Sequence, residues 1–247
     1  MDTKNDSPAP PVTLLVLPGL MCDSRAFPGI CENFAGAVVL DGFYGTARTI
    51  YEMASQVLGE VPGKLAVLGH SMGARVALEL IRMAPERVAR LALVDTGIHP
   101  VSVTEVTKRH ALRDLGRAEG IERLVDAWLP PMIGRSHRAD RALRAALYEM
   151  ACSARQAGFE RQIEALIARP DATTVLGGIT CPTFVIVGSE DEWSPVAQHR
   201  EIAERIDGAE LRVVEGAGHM LPTEAPSLFH EAIREWLGWN PAAPADA

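Results

Sequence analysis

Hydrophobic and polar positions alternate between two textures along most of the chain. Short apolar or β-branched runs fall at residues 12–17, 37–41, 65–69, 91–95, 183–188 and 211–215. Continuous runs of that length suit strands covered on both faces. Between them, apolar residues recur at helical spacing over residues 24–34, 50–60, 72–83, 196–206 and 227–236. The segment at 72–83 shows the pattern well. Val76, Ala77, Leu80 and Ile81 share one face, Arg75, Glu79 and Arg82 fill another, and Pro85 supplies a stop. Strand and helix in alternation imply right-handed crossovers and a parallel sheet with helices on both faces. One stretch departs from this rhythm. Residues 98–180 hold no strand pattern, only amphipathic helical stretches near 104–115, 119–129, 139–152 and 155–168. A helical run of that length between two strands is too long for a simple crossover, so it is expected to be a cap inserted over the C-terminal strand edge. The expected division is 12–97 and 181–238 as the α/β core and 98–180 as the cap, with 1–11 and 239–247 as flexible termini.

Composition narrows the setting. With 247 residues and 47% hydrophobic content the chain can fill a substantial core. A net charge of -8 and no concentration of Lys or Arg argue against nucleic acid or an anionic membrane as partner. The apolar run at 12–21 is too short to span a bilayer and contains Pro18 and Gly19, so neither a leader nor a span is expected. The four cysteines, Cys22, Cys31, Cys152 and Cys181, form no CxxC pair and no metal-ligand spacing. Reduced thiols, a cytoplasmic location and chemistry without metal or organic cofactor are the expectations.

The candidate chemistry begins at Gly69-His70-Ser71-Met72-Gly73, between the strand at 65–69 and the helix at 72–83. A serine between two glycines on a strand-to-helix turn is held out of the fold at the sheet edge, as a nucleophile elbow requires. A serine hydroxyl needs a base, and the base needs a partner to fix its tautomer. The last strand runs into Glu215-Gly216-Ala217-Gly218-His219, and the strand before it into Gly188-Ser189-Glu190-Asp191. Ser71, Asp191 and His219 therefore lie in that order, each beyond the C-terminal end of a strand. Asp95, at the end of its own strand, is a rival for the acid. Two N–H groups are expected to hold the developing oxyanion: that of Met72, opening the helix, and that of Leu20, in the loop after the first strand.

These segments together resemble the α/β-hydrolase superfamily, in particular its small carboxylesterases, grouped with pimeloyl-carrier-protein methyl ester esterases and enol-lactonases. The resemblance rests on Leu17-Pro18-Gly19-Leu20, Gly69-His70-Ser71-Met72-Gly73, Pro85-Glu86-Arg87-Val88 with Leu91-Ala92-Leu93-Val94-Asp95, Cys181-Pro182-Thr183, Gly188 through Asp191 to Pro195, and Gly218-His219. It implies an α/β-hydrolase fold of about six parallel strands, a catalytic triad of Ser71, Asp191 and His219, and an oxyanion hole at Leu20 and Met72. Two features depart from the pattern. Pro18-Gly19 stands where relatives usually have His-Gly, so the histidine that braces this loop is missing, and the chain starts too close to its first strand to hold the two leading strands of larger members.

The activity this implies is acyl transfer to water: cleavage of a small to medium carboxylic ester through an acyl-enzyme, with the rate falling as the histidine protonates. The same triad acting on a lactone or a carbon–carbon bond beside a ketone is a second reading. A binding protein that kept the fold without turnover is a third, separable by hydrolysis of p-nitrophenyl esters. Trp128, Leu129, Met132 and Trp193 are candidates for an apolar substrate pocket.

Overall fold

The structure, a computed structural model, describes residues 12–239, so the termini expected to be flexible lie, Trp239 apart, outside the described residues. A single sheet has strand order β2-β1-β3-β4-β5-β6, every neighbour parallel. The strands are β1 (Thr13–Leu17), β2 (Val38–Val39), β3 (Leu65–His70), β4 (Val88–Val94), β5 (Thr183–Gly188) and β6 (Glu210–Val214). All six residues of β3 and of β5 are buried, which is why these central strands carry no alternating polar face.

The helices are α1 (Ile30–Asn33), α2 (Ile50–Glu60), α3 (Met72–Met83), α4 (Val103–Glu119), α5 (Ile121–Trp128), α6 (Arg141–Ser153), α7 (Arg155–Ile167), α8 (Thr173–Leu176), α9 (Val196–Glu204), α10 (Leu221–Glu224) and α11 (Pro226–Gly238). Their starts are written locally. Thr49 and Glu52 form a reciprocal cap on α2, Ser102 accepts from the Glu105 N–H at the start of α4, and Asp140 accepts from the Ala142 and Leu143 N–H groups of α6. One expected helix is broken. Residues 24–34 form a single 3-10 turn at Ser24–Ala26 and then α1, because Pro28 is followed by Gly29 at φ 75°.

The chain leaves β1 toward β2, then returns across it to β3 and proceeds the other way. With right-handed crossovers this reversal puts helices on both faces. α2 packs on α3, while α11 packs with the segment after β1 through Phe27 and Phe229, 6.4 Å between ring centroids. It also opens a crevice at the C-terminal ends of β1 and β3, the usual ligand position in open α/β sheets. Between β4 and β5 the chain forms only helices, α4 to α8. They cover the charged face of α3, which is why Arg75 and Glu79 are buried rather than solvated. No helix among the described residues is long and apolar enough to cross a membrane.

Candidate active site

Strain marks the turn after β3, and it sits on the serine. Ser71 has φ 54° and ψ -113°, a region that a residue with a Cβ occupies at a cost of about 1–3 kcal/mol. The flanking glycines serve close approach instead. A methyl group on Gly69 would lie 2.5 Å from Ala74 Cα, and one on Gly73 would overlap the Leu17 carbonyl, so both glycines let α3 close down on β1 and β3. Ser71 is the N-cap residue of α3, yet its side chain makes no capping hydrogen bond.

That hydroxyl lies 2.9 Å from His219 Nε2, and His219 Nδ1 lies 2.8 Å from Asp191 Oδ2. The second oxygen, Asp191 Oδ1, accepts from the Trp193 and Ser194 N–H groups, each at 2.8 Å. Burial alone would raise the Asp191 carboxyl, but His219 beside it and these donors hold it below the usual carboxylate range. An ionised carboxylate only accepts, so Nδ1 carries the proton and Nε2 is left to accept from the serine. His219 and Asp191 are both 4% exposed. The rival acid is placed differently. Asp95 is fully buried, accepts from the Gly188 N–H at 3.0 Å, and is pushed well above the usual range by burial and by Asp191 nearby.

Four groups brace this line without belonging to it. His70 is buried and donates from Nε2 to the His219 carbonyl at 2.7 Å; burial holds its ring neutral, lowering it to about 3. His199 accepts from the Thr96 N–H at 2.7 Å, and the Thr96 hydroxyl donates to the Ser71 carbonyl at 3.0 Å. Glu224 clasps the histidine loop: it accepts from Gly218 and Met220, the residues on either side of His219, both at 3.0 Å, and from Gly134 at 2.9 Å. Its carboxyl is raised by burial against the opposing pull of these donors.

The loop after β1 also has braces, though not a histidine. Tyr44 donates to the Pro18 carbonyl at 3.0 Å, and Gln162 of α7 accepts from the Met21 N–H at 2.9 Å. Gly19 is pressed against the elbow, where a methyl group would lie 3.1 Å from Ser71 Cβ. Leu20 follows directly, and it lines the cavity together with Met72. Cys22 lies there too, but burial pushes its thiol up to about 12, so it is a packed and uncharged group.

In front of Ser71 is a cavity of about 420 Å³. Trp128, Met132 and Trp193 line it; Leu129, expected beside them, does not, and is packed into the core at 5% exposure. Leu129 is the residue that caps the C-terminus of α5, one position past Trp128, and a step of one residue turns a side chain by about 100° away from its neighbour's direction. Sequence reasoning misses His70, His199 and Gln162 because their roles are set by partners 100 or more residues away. The only local signal was the polar face of α3. Among the described residues no group of three or more His, Cys, Asp or Glu is arranged to hold a metal ion.

Comparison with known proteins shows the family of the chain. The profile described as "Alpha/beta hydrolase family" matches residues 14–232. A pimeloyl-[acyl-carrier protein] methyl ester esterase of Aromatoleum aromaticum is 30% identical over 214 residues, covering 77% of this chain and 80% of that protein. A 2-hydroxy-6-oxononadienedioate/2-hydroxy-6-oxononatrienedioate hydrolase of Cupriavidus pinatubonensis is 29% identical over 71% of this chain, which spans 62% of its length. A solved thermophilic esterase from Thermogutta terrifontis superposes with a TM-score of 0.79 at 28% identity, covering 93% of this chain and 90% of that one.

Proposed function

The chain belongs to the alpha/beta hydrolase family, a family of hydrolases, and from that premise we propose that it is a serine hydrolase cleaving carboxylic esters through an acyl-enzyme. One observation carries the reading: the continuous hydrogen-bonded line from Ser71 to His219 to Asp191, 2.9 and 2.8 Å. Ser71 Oγ attacks the ester carbonyl while His219 Nε2 takes its proton, and Asp191 steadies the imidazolium that forms. Negative charge moves onto the carbonyl oxygen, and the N–H groups of Leu20 and Met72 receive it at the positive end of α3. His219 then gives its proton to the leaving alkoxide. A water molecule, deprotonated by the same histidine, releases the acid and restores Ser71. The strained backbone at Ser71 supports this assignment, because a residue kept there at such cost is held by its surroundings for a purpose.

We read residues 98–180 as a cap over this site. Ser102, Trp128 and Met132 of that segment line the same cavity as Ser71, which supports a role in substrate choice. A second reading has one observation in its favour. The Cupriavidus relative is named for a hydroxy-oxo-dioate rather than an ester, and the same three groups can act on a lactone or on a carbon–carbon bond beside a ketone. Hydrolysis of p-nitrophenyl esters of increasing chain length, followed for the wild type and Ser71→Ala, tests the proposal. The expected result is ester turnover by the wild type and its loss in the variant, with a phosphonate forming an adduct at Ser71. Turnover of ketones without turnover of any ester sinks the ester assignment in favour of the second reading.

A further inference from the structure

The cavity has a charged end that ester cleavage does not use. Arg75 stands one turn along α3 from Ser71, on the same helix face and about 6 Å further along the axis. It lines the cavity together with Arg109 of α4 and Arg169, which follows α7. All three guanidiniums are withdrawn from solvent: Arg75 and Arg109 are 8% and 5% exposed, and the Arg169 side chain is 6% exposed.

Their counter-charge is incomplete. Glu105 accepts from Arg109 at 2.9 and 2.7 Å and from Arg169 at 2.6 and 2.7 Å, so one carboxylate serves two cations. Among the described residues Arg75 donates only to backbone carbonyls, those of Ile98 at 2.8 Å and His99 at 2.9 Å. The other carboxylate acting on Arg75, Asp171, faces solvent and is engaged by Thr173. At the mouth of the cavity Lys108 and Glu192 carry opposite charges. The buried cluster thus holds three positive groups and one negative in a chain of net charge -8.

A buried cation lacking a carboxylate partner is destabilising by itself. Burial lowers Arg75 to about 9, with the neighbouring Arg169 adding to the effect and Glu105 opposing it. Arginine forks suit the planar, two-oxygen geometry of a carboxylate. The cavity lining also has apolar members, Leu20, Met72 and Trp193, and the Arg109 guanidinium lies 5.9 Å from the Trp193 ring centroid.

We propose that Arg75, with Arg109 beside it, is a carboxylate-binding subsite, and that the preferred substrate is an ester bearing a second, ionised carboxylate a few carbons from the scissile carbonyl. The proposal rests on Ser71 as nucleophile and names the substrate class for that site. Substrate would supply the missing counter-charge, and the short separation along α3 limits the spacer to a short chain.

The test compares half-esters with neutral esters of equal chain length: monomethyl succinate, glutarate and adipate against methyl butyrate, valerate and hexanoate, with kcat/KM read from acid release. The wild type is expected to prefer one half-ester by about tenfold or more. In Arg75→Met and Arg109→Met the ratio of half-ester to neutral ester falls about tenfold. In Arg75→Lys, which keeps the charge, the ratio stays within about threefold of wild type. Using a ratio removes any general loss from imperfect folding, and the wild-type ratio stands without any variant. Succinate is expected to compete with the neutral ester more strongly than inorganic phosphate; the reverse order overturns the carboxylate assignment. A wild type that cleaves the neutral esters as well as the half-esters overturns the subsite and leaves the serine hydrolase intact. Failure on every ester, with no phosphonate adduct at Ser71, overturns both.

Discussion

The two walls of the cavity are made from opposite materials. On the sheet wall, β3 and β5 are wholly buried, and Ser71, Asp191 and His219 are tied to backbone N–H and carbonyl groups through His70, Thr96 and Glu224. On the helical wall, α4 buries only Arg109 and Gly116, and its ties are ion pairs such as Arg109 with Glu105 and Arg117 with Glu160. Backbone ties fix position to a fraction of an ångström and leave little freedom to substitute. Ion pairs between side chains fix charge and tolerate exchange. Under the proposed function, the difference teaches a division of labour in which reaction geometry would rest on the over-determined wall and substrate choice on the adaptable one.

That contrast can be broken at several places. The largest effect is expected at Ser71→Ala: kcat falls by about 10⁴-fold or more while the melting temperature does not drop, because the hydroxyl contributes chemistry and not packing. Retained turnover in that variant breaks the assignment of reaction to the sheet wall. Next is Gly73→Ala, whose methyl group meets the Leu17 carbonyl, a backbone atom that cannot swing aside. Destabilisation of about 3 kcal/mol or more is expected in denaturant unfolding. Glu224→Gln sharpens the comparison, since it removes an anionic clasp on both sides of His219. We expect kcat to fall about tenfold with KM little changed, and the helical wall to loosen at Gly134.

Acid separates the two walls by pH. His70 and His199 are held neutral by burial, lowered to about 3 and about 4 from an ordinary 6.5. The unfolded chain takes up those protons first, so stability from the sheet wall is present above pH 6.5 and is lost as pH falls through 4 toward 3. For Glu105, burial works against ionisation but is outweighed by Arg169 and Arg109, which bring it to about 2 from 4.5. Its contribution is present above pH 4.5 and is lost only as pH falls toward 2. Melting temperature against pH should therefore decline in two stages, with His70→Gln flattening the first and Glu105→Gln the second. A decline unchanged in both variants removes this distinction. The smallest effect is expected at Gly158→Ala in α7, where the nearest atoms to a new methyl group are 3.9 Å away. A gain of about 0.5–1 kcal/mol in thermal unfolding is expected, opposite in sign to Gly73→Ala.

The same contrast governs what could be read in advance. Strands at 65–69 and 183–188 announce themselves because burial on both faces requires unbroken apolar runs, and six parallel strands follow from the alternation. Ser71, Asp191 and His219 could be chosen because each follows such a strand, and parallel strands bring their C-terminal ends to one edge. The structure brings these three within hydrogen-bonding distance. On the helical side, spacing predicts the helices but not their phase against the cavity, and of the candidate pocket residues Leu129 does not line it. In the sequence Arg75 is only one member of a polar face at 72–83; in the structure it is buried and donates to the Ile98 and His99 carbonyls.

By itself, then, the order of residues determined the sheet, the crossover helices and the positions of serine, acid and histidine along its rim, because burial and chain direction are local properties with a fixed period. Only the tertiary structure decided that His70 and Glu224 hold the histidine loop, that Tyr44 and Gln162 brace the loop after β1, and that Arg75 lies buried without a carboxylate. His70, Gln162 and the Gly134 end of the Glu224 clasp each depend on a partner brought from a distant part of the chain by packing, and no spacing along the sequence encodes such a meeting.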